Sequence, residues 1–91
     1  MKIAPEARPR LSRGVRLHED KVRSRTVLLA PERVVTPNQS AIEILRRCDG
    51  ALTFNEIVAD LARTYSAEPN RVAADVEALL AELASRRMVD L

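Results

Sequence analysis

The chain has 91 residues, with 15 Lys/Arg against 13 Asp/Glu, one histidine, one cysteine and two glycines. That length builds one domain around one modest core and leaves too little wall for a deep internal cleft. One His and one Cys argue against a metal site or a nucleophile pair made by this chain alone, and two isolated glycines leave no phosphate-cradling loop.

No apolar run approaches the roughly 18 residues of a membrane span, and the N-terminus lacks an apolar signal core, so a soluble, cytoplasmic protein is expected. Cys48 stands alone, which rules out an intrachain disulfide; a small buried hydrophobe near a helix end is expected there. Phe54 and Tyr65 are the only aromatic residues, so Leu, Val, Ile and Ala must fill the core. Charge is unevenly spread. Residues 1–33 carry nine basic and four acidic side chains (+5), and residues 34–91 carry six and nine (−3). The basic half is either a solvated tail and sheet face or a surface for an acidic partner.

Residues 1–13 hold Pro5 and Pro9 without sustained periodicity, which predicts a mobile or extended arm ahead of a domain over 14–91. Val15-Arg16-Leu17 alternates as a half-buried strand does, and His18 to Lys21 supplies a polar turn. Thr26 to Leu29 is β-branched and apolar, a second strand. Pro31-Glu32 breaks it, and Arg33-Val34-Val35-Thr36 forms a short third strand ended by Pro37. Asn38 or Ser40 then caps a helix to about Arg47, with Ala41, Ile44, Leu45 and Cys48 on one face. Gly50 stands where a left-handed residue is wanted. Thr53-Phe54-Asn55-Glu56 is a capping box opening a second helix lined by Ile57, Val58, Leu61 and Tyr65. Pro69 starts the longest helix, about residues 69–86, with Val72, Val76, Leu79, Leu80 and Leu83 in register. Met88, Val89 and Leu91 form an apolar tail suited to packing back. The expected fold is α+β and winged-helix-like: a three-stranded antiparallel sheet followed by a three-helix bundle.

Catalytic chemistry is scarce. Asp49, Glu56 and Asp60 read as helix caps and solvated charge rather than paired acids. A DNA-reading third helix should present basic and amide side chains, but here Asp75, Glu77 and Glu82 would face a polyanion. Peptide recognition remains. A short third strand at a sheet edge offers free N–H and C=O groups to an extended peptide. Ordering ten residues costs roughly 10 kcal/mol, while about five ladder bonds return on the order of 1 kcal/mol each. Apolar pockets must therefore bury something like 400 Å² more. A groove between that strand and the third helix, floored by Val72, Val76 and Leu79, would supply it.

Several segments resemble one family. Pro9-Arg10-Leu11 with Gly14-Val15-Arg16-Leu17, Leu28-Leu29-Ala30-Pro31-Glu32, Asn38 through Leu45, Cys48-Asp49-Gly50, Glu56-Ile57, Asp75-Val76 and Leu79-Leu80 are similar, in order and spacing, to the PqqD family of pyrroloquinoline quinone biosynthesis. Pro37 departs from the leucine many members carry before the Asn, which bears on the last bond of a peptide ladder. The resemblance implies a non-catalytic peptide chaperone, a recognition element for ribosomally made, modified peptides. It would have no cofactor of its own, bind the precursor peptide PqqA, and present it to the radical S-adenosylmethionine enzyme PqqE. The family's groove maps onto Arg33, Val34, Val35, Thr36, Val72, Asp75, Val76 and Leu79, with Arg33 and Asp75 as polar rim and the valines and Leu79 as apolar contact. On this reading Val34→Asp or Val76→Asp should each weaken peptide binding without loss of fold. Glu32 and Asp49 read as turn and helix-end residues rather than enzyme contacts. A winged-helix DNA-binding regulator and a module for another modified peptide are the rival readings. Neither nucleic acid nor membrane is expected as a partner, and an exposed edge permits a monomer or a strand-exchanged dimer.

Overall fold

The computed structural model describes residues 2–91. Its elements are β1 (Arg10–Leu11), β2 (Arg16–Asp20), β3 (Arg25–Ala30), β4 (Arg33–Val35), α1 (Gln39–Leu45), α2 (Phe54–Thr64), α3 (Pro69–Ser85) and β5 (Val89–Asp90). β2, β3 and β4 form an antiparallel meander in that spatial order, and β1 pairs with β5 in a separate two-stranded ribbon. The expected α+β order of three strands and three helices is therefore present, with the short ribbon added.

The register decides which strand residues meet the helices. Leu17 pairs with Leu28 and Leu28 with Val35, whereas Leu29 pairs with Val34. Directly opposed residues share a face and neighbours along a strand alternate. Leu28 is fully buried in the core, and Leu17, Ala30 and Val35 pack against it, so this face meets the helices. Val34 lies on the opposite, outer face. The first hairpin is longer than the polar His18–Lys21 turn suggests. His18, Glu19 and Asp20 stay in β2, and the turn falls at residues 21–24, with Ser24 at φ 50°. The alternation continues through these polar residues because one face of β2 is solvated.

Each helix stops and starts on a local signal. The Asn38 side chain accepts the Ala41 N–H at 2.8 Å at the start of α1. Thr53 and Glu56 form the reciprocal capping box of α2. Glu68 caps α3 by accepting the Asn70 and Arg71 N–H groups, and Pro69 occupies the first turn. α2 and α3 end alike. In α3 the Met88 N–H reaches the Leu83 carbonyl (2.9 Å) and the Arg87 N–H reaches Ala84, with Arg87 at φ 59°. Ala67, Ser66 and Ala62 repeat this Schellman arrangement at the end of α2. Gly50, at φ 82° after α1, takes the left-handed conformation expected of it.

The N-terminal segment, expected as a mobile or extended arm over residues 1–13, is extended and packed on the fold over its described residues. Ile3 and Pro9 are buried. The first N–H groups of α2, on Phe54 and Asn55, donate to the Ala7 and Pro5 carbonyls at 2.7 and 3.0 Å. These are orphan donors that every helix N-terminus must satisfy. The Gly50 N–H donates to the Pro9 carbonyl and the Ser12 N–H to that of Met88, stitching the segment to both sides of the ribbon. Prolines remove donors but leave carbonyls, so a Pro-rich extended strip still serves as an acceptor rail.

Candidate functional site

β4 is short because Pro31-Glu32 turns the chain tightly before it and Pro37 follows closely after it. It pairs with β3 alone, so its other edge is open. The two-residue connection joins Ala30 to Arg33, which makes these the hydrogen-bonded pair of the hairpin. By alternation, Leu29 and Val34 are a non-bonded pair, and the Val34 N–H and C=O point away from β3. Among the described residues, no backbone bond links Val34 or Thr36 to another element. Pro37 shares the parity of Arg33 and Val35, so its missing donor belongs to the β3 side rather than the open edge. The doubt raised at Pro37 therefore does not touch the outer ladder positions at Val34 and Thr36.

The two edges of the meander differ. β2 carries Arg16, His18, Glu19 and Asp20 along its length, the charged protection typical of a guarded edge. β4 carries one charged residue, the exposed Arg33, followed by Val34, 61% exposed, and Val35.

α3 carries the other residues of the expected groove. Val72, Asp75 and Leu79 recur at i, i+3 and i+7, a stripe bordering the fully buried Val76 and Leu80. Val72 and Leu79 are half-buried and pack, like Val35, against the core. Val35, Val72 and Leu79 are thus all packed against the one core. Val34 is not, since its side chain lies on the outer face and its contribution to an edge is its backbone. Val76 has 0% exposure and is core. Val76→Asp would bury a charge and unfold the domain, so it does not test a surface. Among the described residues, Arg33 and Asp75 take part in no ion pair.

Adjoining this stripe is a concave pocket of ≈ 220 Å³ between α1, the end of α2 and the start of α3. Ile44, Leu61 and Val76 form its base, and Gln39, Ser40 and Tyr65 stand around its mouth with Val72 and Asp75. Sequence reasoning missed the α1 residues and Tyr65. The only signal was Tyr65 itself, an aromatic at a helix end; it is 55% exposed rather than on the inner face expected for it. A polar network braces one wall. Arg47 Nε donates to Asp60 at 2.6 Å, and its Nη1 donates to the Glu43 backbone carbonyl at 2.7 Å and to the Glu43 side chain at 3.3 Å. The Arg47 guanidinium is the main influence holding both the Glu43 and the Asp60 carboxyl below their usual range. Partial desolvation, followed by the adjacent Glu43 carboxylate, raises the Tyr65 phenol, which stays protonated at neutral pH.

Elsewhere, Glu32 is exposed in the β3–β4 turn, and Asp49 accepts the Ala51 N–H at 2.9 Å, a structural turn contact. Burial pushes the Cys48 thiol up to about 12, which makes it inert as a nucleophile. No group of three or more His, Cys, Asp or Glu among the described residues has metal-binding geometry. No helix is long and apolar enough to cross a membrane.

The family model for coenzyme PQQ synthesis protein D, PqqD, matches residues 25–89, well over half of the sequence. The chain belongs to the PqqD family. A "PqqA binding protein" of Rhizobium meliloti (strain 1021) is 44% identical over 82 residues, covering 90% of this chain and 84% of the relative. The "Bifunctional coenzyme PQQ synthesis protein C/D" of Methylorubrum extorquens is also 44% identical over 82 residues, but this PqqD-family chain spans only 22% of that longer protein. The solution NMR structure of the PqqD truncation of Methylobacterium extorquens PqqCD is described as a functional, stand-alone recognition element for ribosomally synthesized, post-translationally modified peptides. It superposes with a TM-score of 0.82 at 40% identity, covering 99% of this chain and 96% of that one. The crystal structure of PqqD from Xanthomonas campestris gives 0.63 at 36% identity, covering 99% and 100%. The Rhizobium meliloti relative is named for binding and the Methylobacterium extorquens truncation for recognition.

Proposed function

We propose that this chain is a non-catalytic peptide chaperone that binds the precursor peptide PqqA along the open edge of β4. It holds the peptide between that edge and the Val72, Asp75 and Leu79 stripe of α3, and presents it to the radical S-adenosylmethionine enzyme PqqE in the cytoplasm. The observation that carries the reading is the open β4 edge, with Val34 backbone groups directed outward, in a fold whose α3 carries a half-buried apolar stripe. Kinship with PqqA binding proteins and with a recognition element for modified peptides supports the choice of peptide. Holding a flexible chain in one register raises its effective concentration at the partner's active site. The iron–sulfur chemistry belongs to that partner.

The test is calorimetric titration with full-length PqqA precursor peptide at physiological salt, with duplex DNA as a parallel titrant. Saturable one-to-one binding of peptide and silence with DNA are expected. Retention of PqqE by the peptide-loaded protein on a sizing column tests the presentation step. A silent peptide titration would overturn the proposal, and a DNA signal that collapses with salt would favour a regulator instead.

A further inference from the structure

We infer that the pocket between α1 and α3 is a subsite for one basic side chain, Lys or Arg, of the bound peptide. This inference rests on the peptide-binding reading above and adds a specificity rule to it.

Size comes first. At ≈ 220 Å³ the pocket falls below the roughly 300–1,000 Å³ of sites for free small molecules, so it suits one side chain of a longer ligand. Its base is apolar, and Ile44 and Leu61 are buried there. Its rim is not neutral. Among the described residues, Asp75 makes no side-chain hydrogen bond or ion pair, and Arg71, one turn earlier on α3, is not in ion-pair contact with it. Glu43 also lines the pocket, but Arg46 and Arg47 already hold its carboxylate at 3.2 and 3.3 Å. Among the described residues, one carboxylate without a direct ion-pair partner therefore lines an apolar recess, with the exposed Tyr65 side chain at the mouth.

Lys and Arg match this profile because they bury an aliphatic stem while keeping the charged head in water, and an aromatic face adds attraction for the cation. A neutral apolar side chain would partly desolvate Asp75 with nothing to pair it, and an acidic one would be repelled. Position gives a register. Gln39 and Ser40 follow β4 by a few residues, so the pocket lies off the C-terminal end of that strand. A peptide that continues the all-antiparallel meander runs opposite to β4. The residue entering the pocket then lies on the N-terminal side of the paired stretch.

The experiment is calorimetric titration of the wild-type chain and Asp75→Asn with the PqqA precursor peptide and with versions carrying norleucine at each Lys or Arg in turn. At one basic position, N-terminal to the stretch protected in amide hydrogen exchange, norleucine should weaken wild-type binding by about fivefold, as expected for a solvent-accessible ion pair. Asp75→Asn should weaken the parent peptide by a similar factor and abolish the difference between Lys or Arg and norleucine. Its thermal midpoint should be unchanged, since Asp75 has no partner to lose. Wild-type binding that is indifferent to every basic position, or a norleucine penalty that persists in Asp75→Asn, would overturn the subsite while leaving the chaperone reading intact. Failure of the wild type to bind the parent peptide at all would overturn both.

Discussion

Strand parity in β4 makes two neighbouring proline substitutions act in opposite ways. Val34 is in a non-bonded pair with Leu29, and its N–H points to the open edge; Val35 is paired with Leu28 through the sheet and packs on the core. Proline is tolerated on an edge strand where its missing donor faces solvent. Val34→Pro should therefore leave the fold intact, with a thermal midpoint within about 4 °C of the parent. It removes one donor from any peptide ladder and places a ring at the edge, which should cost about 1–2 kcal/mol, or roughly 5–30-fold in Kd. Val35→Pro instead deletes a bond inside the meander and disturbs a half-buried side chain. That should cost about 2 kcal/mol of stability, roughly 8–16 °C for a domain of this size. Differential scanning calorimetry and peptide titration on both variants give the four values needed. Full peptide affinity in folded Val34→Pro would refute β4 pairing, and a collapse of stability in Val34→Pro would refute the assigned parity.

Deleting residues 1–8 removes the buried Ile3 and the carbonyls that cap α2, so the midpoint should fall by about 10 °C or more; an unchanged midpoint would mean a dispensable arm. Cys48, with its thiol raised to about 12, should resist Ellman's reagent at pH 8 until urea unfolds the chain, and rapid native labelling would contradict its burial. The Glu43, Glu56 and Asp60 carboxyls are held below their ordinary values of 4.5, 4.5 and 3.8. Groups with depressed folded pKa contribute stability that is complete above the unfolded value and lost as pH falls through the folded one. Urea midpoints should therefore be level above pH 4.5 and decline below it, with a shallower decline in Glu56→Gln. A midpoint that rises on acidification would overturn the assignment.

Element identity was legible because its causes are local. The Thr53–Glu56 capping box, Pro69 at a first turn, Gly50 in the left-handed region and the Pro31-Glu32 break each act within a few residues, and each appears where the pattern indicates. The candidate site was legible in part. Val72, Asp75 and Leu79 share a helix stripe by spacing alone, but helical periodicity could not separate them from Val76, since adjacent stripes differ by only one residue in rotation.

What remained required the tertiary structure, because it depends on residues far apart in sequence. Register across β3 sends Val34 and Val35 to opposite faces, and no property of the pair Val-Val encodes which is which. Docking of α3 seals Val76 and leaves Val72 and Leu79 at the border. The N-terminal strip has no periodicity of its own. It is ordered by the unsatisfied N–H groups of a helix that begins more than forty residues later, at Phe54. Composition and local signals thus determined a small α+β domain. Long-range pairing decided which edge is open, which valine packs on the core, and that, among the described residues, one pocket-lining carboxylate has no ion-pair partner.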